Sequence, residues 1–157
     1  MLLRERAVEY LAGAAMVRAA IAGLTRDQAL ARPIAGKWST LEVVCHIADF
    51  EPIMADRMKR IIALDRPSLL GADENKFARA LAYQDRDLEE EINVIESTRR
   101  QMACILQTLP DHAGDRVGIH NERGPKTLVE LVTTATNHIT HHVPFLMEKR
   151  KMLGLRN

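Results

Sequence analysis

Apolar positions recur every three or four residues through four long stretches of this chain, the spacing that lines one face of an α-helix. In the first, Leu3, Ala7, Tyr10, Leu11, Ala14 and Val17 share a stripe, which predicts a helix over residues 2–24. Residues 25–37 carry Pro33 and Gly36 and read as a connector. Ser39-Thr40-Leu41-Glu42 then has the form of a capping box, the Ser39 hydroxyl accepting from the Glu42 amide while Glu42 reaches back to the Ser39 amide. A second helix is expected from there to Asp65, where Arg66-Pro67 stops it. The third runs over residues 85–109 and ends at Pro110. Asp87, Glu89, Glu90 and Glu91 crowd its start, where negative charge suits the helix dipole. The fourth begins near Thr127, with Glu130 completing another capping box, and ends at Gly154.

Two long polar linkers follow the second and third helices. Residues 66–84 have room for a helical turn over 73–81, and residues 110–126 are punctuated by Gly114, Gly118, Gly124 and Pro125. There is no internal repeat. The pattern predicts an all-α fold, a four-helix bundle in a single domain over residues 1–157. Pro52 and Pro144 each lie inside a predicted helix, six residues after His46 and His138 respectively. Each removes a backbone donor, and either curves a long helix around the core or widens the bundle beside a site.

Composition strengthens the helical reading, since aromatics are only 4% while Ala, Leu and Met abound. With 22 basic and 21 acidic residues the chain has no single-sign field, so nucleic acid and anionic membrane are poor candidate partners. Cys45 and Cys104 both fall in predicted helices, as suits a reducing compartment. Charges interrupt the apolar positions near the N-terminus and no stretch approaches a membrane span, so a cytoplasmic protein is expected.

The histidines carry the chemistry. His138 and His142 are four apart and so lie one turn above the other, the geometry by which one helix offers two imidazoles to one ion. His46 supplies a third from the second helix, on a stripe with Ile53, Arg57 and Leu64. Three neutral imidazoles suit zinc or another borderline first-row metal; nickel ranks beside zinc, with iron and manganese as further candidates. No fourth protein ligand is evident, which leaves a position for water or substrate, as in catalytic rather than structural sites. The competing reading is hydrogen-bonded core histidines. His141 lies off the stripe of its neighbours and either supports a ligand, faces solvent, or replaces one of them. A carboxylate-bridged di-iron centre is excluded, because no Glu-x-x-His occurs.

Gly36-Lys37-Trp38-Ser39-Thr40-Leu41-Glu42-Val43-Val44-Cys45-His46 and the late element His138-Ile139-Thr140-His141-His142 resemble the DinB-like (YfiT-like) superfamily of metal-binding four-helix bundles. Weaker likeness lies in Asp73-Glu74-Asn75, Arg99, and His120 through Gly124 with Thr127. The resemblance covers nearly the whole chain. It implies His46, His138 and His142 as ligands of one divalent ion. An open three-imidazole site can acidify a bound water for hydrolysis of a small molecule, and the resemblance implies a metal-dependent transferase or isomerase that uses a low-molecular-weight thiol. A stress-associated, non-catalytic metal-binding protein is the alternative. A homodimer is expected of this bundle type.

Other residues near the site divide between roles. Asp49, three after His46, either orients a ligand and acts as the catalytic base, or sits exposed at the stripe's edge. Arg57 either receives a substrate carboxylate or pairs with an acid of the third helix. Trp38 packs the entrance of the second helix, Cys45 points about a quarter-turn from His46, and Cys104 reads as a core residue. His120 matches the family pattern without an evident role.

Overall fold

Local capping chemistry sets where the helices of the computed structural model begin, and residues 2–155 are described. Helix α1 spans Leu3–Ile21. Helix α3, Thr40–Ala63, starts at Ser39, which donates its amide to Glu42 Oε2 at 2.7 Å and accepts at Oγ from the Glu42 amide at 3.1 Å. Helix α5, Leu88–Thr108, is opened by the Asp87 carboxylate, which accepts from the amides of Glu89 and Glu90. Helix α6, Leu128–Met152, repeats the capping box with Thr127 and Glu130. These are the four helices of the pattern, with ends shifted by a few residues. Two short helices fill the connections. Helix α2, Arg26–Leu30, is capped by Thr25, and α4, Glu74–Ala80, by Asp73. The latter matches the expected turn over 73–81, whereas α2 is too short to leave a readable period.

Helices α1 and α3 each pack against both α5 and α6, so they occupy opposite corners of a four-helix bundle. The predicted stripe of α1 is buried except for Leu11, which is 38% exposed. Both proline-bearing helices, α3 and α6, run through Pro52 and Pro144 without ending.

One polar network ties the four corners. The guanidinium of Arg99 (α5), fully buried, donates to the Tyr10 carbonyl (α1), the Ala135 carbonyl (α6) and the Glu51 carboxylate (α3). Tyr10 completes the ring by donating its hydroxyl to Glu51 at 3.1 Å. Gly13 is the counterpart of this strut. A Cβ there would lie 2.4 Å from Arg99 Nη1, so only glycine leaves space for the guanidinium.

The linkers also hold structure that the pattern did not show. Strand β1 (Ser68–Leu69) pairs in parallel with β2 (Val117–His120), which pairs antiparallel with β3 (Gly124–Thr127). The two linkers are thus joined across one end of the bundle. Gly118 allows β2 to lie against α3, because a Cβ would come within 2.8 Å of Ile61. Among the described residues, no helix is long and apolar enough to cross a membrane.

Candidate metal centre

Helices α3 and α6 bring three imidazoles to one point. His46 Nε2 lies 2.9 Å from His138 Nε2, which lies 3.2 Å from His142 Nε2. Four nitrogens around zinc at the usual bond length stand about 3.3 Å apart; these two separations are close to that, and the ligand atoms of all three residues lie within 4.8 Å of one another. The protonation states agree. Burial pushes His138 down to about 3 and His142 to about 4, with charge on the neighbouring histidines adding to the shift, and burial also lowers His46. All three are therefore neutral near pH 7, as ligands must be.

Without a cation the arrangement is costly, because three nitrogens with their lone pairs or protons face one another. Among the described residues the buried Nδ1 atoms of His46 and His142 have no hydrogen-bond partner, so no outside contact sets the tautomer of those two rings, and a cation at Nε2 would place their protons on Nδ1. The donor set fits one divalent metal.

Aromatic side chains hold His46 in place. Its ring lies 5.5 Å from Trp38 and 4.7 Å from Phe50, centroid to centroid. Trp38 is thus part of the wall behind this imidazole, beyond its expected role of packing the helix entrance. His141 is exposed, packs 5.0 Å from the His142 ring, and lines the cavity in front of the cluster. It does not replace a member of the convergent set.

Asp49 is not at this cavity. Its carboxylate pairs with Arg86 at 2.9 Å, and Arg86 in turn donates to Glu91 of α5. The expectation that Asp49 acts as the base gives way for that reason: a neighbouring guanidinium holds it, and it reaches His46 only through its charge. The carboxylate that faces the imidazoles is Glu74, whose Oε2 is 3.8 Å from His46 Nε2 and which lines the cavity. Glu74 was visible only as part of the Asp73-Glu74-Asn75 likeness. Its approach depends on how the linker folds α4 back over α3, and helical spacing carries no trace of that.

The cavity has a volume of about 350 Å³. His46, Phe50, Met54 and Arg57 line it from successive turns of α3, facing Leu131, Asn137 and His138 of α6. The sheet linkers supply His120, Glu122, Arg123 and Lys126. Arg57 does not pair with an acid of α5; it donates instead to the Leu70 carbonyl. Cys45 is buried away from the cluster, and burial raises its thiol to about 12, so it is no nucleophile. Cys104 is exposed rather than in the core, because α5 turns that position to solvent.

Comparison with known proteins places these features in context. A family model described as the DinB superfamily matches residues 9–145. A protein of Geobacillus thermodenitrificans (strain NG80-2), provisionally named a metal-dependent hydrolase, is 27% identical over 140 residues, covering 88% of this chain and 78% of that protein. Among solved structures, YfiT from Bacillus subtilis, described as a probable metal-dependent hydrolase with an unusual four-helix bundle topology, superposes with a TM-score of 0.89. It shares 19% identity, over 98% of this chain and 89% of that one.

Proposed function

The chain belongs to the DinB superfamily, and from that premise we propose that it is a metal-dependent enzyme that hydrolyses a small molecule in the cavity beside His46, His138 and His142. The observation that carries this reading is the convergence of three neutral imidazoles, two of which, His46 and His138, line a cavity with a carboxylate alongside. The names given to the relatives as metal-dependent hydrolases support it. Zinc and nickel are the ions the donor set favours.

His46, His138 and His142 would hold a divalent ion, which would supply Lewis acidity toward a water or thiol. The side chains then divide the remaining work. Glu74 accepts the proton of the attacking water and returns it to the leaving group. Trp38, outside the cavity, and Phe50, on its wall, pack against the His46 ring and keep it from rotating. Asn137 and His141, on the α6 side, offer hydrogen bonds to a polar substrate.

Protein purified without tag or chelator is expected to hold one equivalent of metal per chain by elemental analysis. Ester, amide and thiol-transfer panels, the last with several low-molecular-weight thiols and a generic electrophile, then identify the reaction class. Glu74→Gln should keep the metal and lose about a hundredfold or more in turnover. Thiol transfer without hydrolysis would replace the hydrolase reading by the transferase one. No metal-dependent turnover in any panel would leave a binding protein.

A further inference from the structure

We propose that Arg57 and His120 form the receiving site for a carboxylate at the far end of an elongated substrate, whose reactive group lies at the three imidazoles. The identity of the reactive end rests on the reading above; recognition of the carboxylate does not need the ion.

Arg57 is the unusual feature. It is 9% exposed, yet no acidic group lies within ion-pair distance among the described residues. Its Nε and Nη2 donate to the Leu70 carbonyl at 3.1 and 2.5 Å, and Nη1 points to Met54 Sδ at 3.3 Å. A guanidinium has five N–H donors, so these contacts leave donors over, and no carboxylate pairs with the charge directly. Burying a cation in that condition is costly unless an anion arrives. Burial accordingly lowers the pKa of Arg57 and the Arg123 charge adds to the effect, while the charges of Glu122 and Asp56, outside ion-pair distance, offset part of it.

His120 stands beside the same space. It is 6% exposed and lines the cavity, and its Nδ1 accepts from the Glu122 amide at 3.2 Å. In the neutral ring that bond puts the proton on Nε2, which makes His120 a hydrogen-bond donor. Arg123, exposed at the rim, has no ion pair among the described residues and adds a second cation. Lys126 is already paired with Glu130 at 3.7 Å. Of the two acids on the wall, Glu74 belongs to the imidazole end, and the Glu122 carboxylate lies over Gly71, outside ion-pair range of Arg57.

Helix α3 sets the length of the ligand. His46 and Arg57 are eleven residues apart, about 16 Å along the axis, and both reach into one cavity. Phe50 and Met54, with Leu131 from α6, line the part between. The matching molecule is polar at one end, apolar in the middle and anionic at the other.

The probe is 6-phenylhexanoate against its primary amide, measured by calorimetry on both chelator-treated and zinc-loaded protein. The acid is expected to bind both forms more tightly than the amide, by about tenfold or more. Arg57→Met should abolish the preference, Arg57→Lys should retain part of it, and Arg123→Ala should reduce it a few-fold. An acid that binds wild-type protein no better than its amide overturns the proposal, without recourse to any variant. So does a preference that appears only with zinc, because the carboxylate then binds the ion, or one that survives in folded Arg57→Met. Acid preference in a protein with no metal-dependent turnover would uphold this site while rejecting the enzymatic reading.

Discussion

Replacing Arg99 by methionine cuts the strut that joins all four long helices. Arg99 and Glu51 are 0% and 1% exposed, so the substitution strands a carboxylate with the Tyr10 hydroxyl as its remaining partner. Breaking a buried pair in this way costs about 3–5 kcal/mol at neutral pH. The pH dependence gives a sharper test. Burial already raises the Glu51 pKa, and the Arg99 charge is the largest influence that lowers it, so the variant's carboxyl goes higher still. A carboxyl whose folded pKa exceeds its unfolded value stabilises the fold fully below the unfolded pKa. That contribution is lost as pH rises through the folded pKa. The deficit of Arg99→Met should therefore be smaller at about pH 5 than at about pH 7.5. Adding Glu51→Met removes the stranded charge and should recover much of the loss. Urea unfolding of chelator-treated protein, followed by circular dichroism, measures all three quantities. A deficit below about 1 kcal/mol at neutral pH, or one that does not change with pH, would refute the account of the strut.

Gly13→Ala tests the same strut from the α1 side. The gain in helix propensity, about 1 kcal/mol, should be outweighed by displacement of the Arg99 guanidinium, for a net loss of about 1–2 kcal/mol in the same unfolding assay. His142→Ala is expected to keep native helicity by circular dichroism while elemental analysis finds the metal gone; retained stoichiometric metal would remove His142 from the ligand set. The metal-free protein should lose stability as pH falls from about 6.5 toward 4, because its histidines titrate lower when folded than when unfolded. Thermal melts with chelator across that range should slope downward toward acid, and a flat profile would show the imidazoles to be solvated.

The sequence makes some of these features readable and hides others, for physical reasons. Ser39 with Glu42, Thr127 with Glu130, and Asp87 act within one helical turn, so their spacing alone locates three helix starts. His138 and His142 share a face by the same local rule, and only their meeting with His46 requires the tertiary fold. The sheet escaped notice because β1 has two residues and β2 and β3 four each, too few to show alternation, and β2 and β3 contain Gly118 and Pro125. Glu74 acquires its position from where the linker folds, and Arg57, on the expected stripe of α3, acquires its partner Leu70 from the same linker. Asp49 was misplaced for a related reason. Three residues after His46 it leans to the same side, but Arg86, distant in sequence, draws it away.

These differences follow from how the molecule divides its work. The imidazoles sit on α3 and α6, which the Arg99 strut holds: Glu51 is five residues past His46, and Ala135 three before His138. That part is rigid and needs only local helix geometry plus one buried network. The opposite wall comes from residues 70–74 and 120–126, whose backbones are linked through β1 and β2 and by the bond from the Gly71 amide to the Asn121 side chain at 2.8 Å. Gly118 lets this sheet close onto α3 beside Ile61, which brings His120 over the cavity. Changes in the linkers can therefore alter what the cavity accepts without moving the three nitrogens, whereas changes at Arg99, Glu51 or Gly13 act on α3 and α6, which carry the nitrogens and Arg57 together.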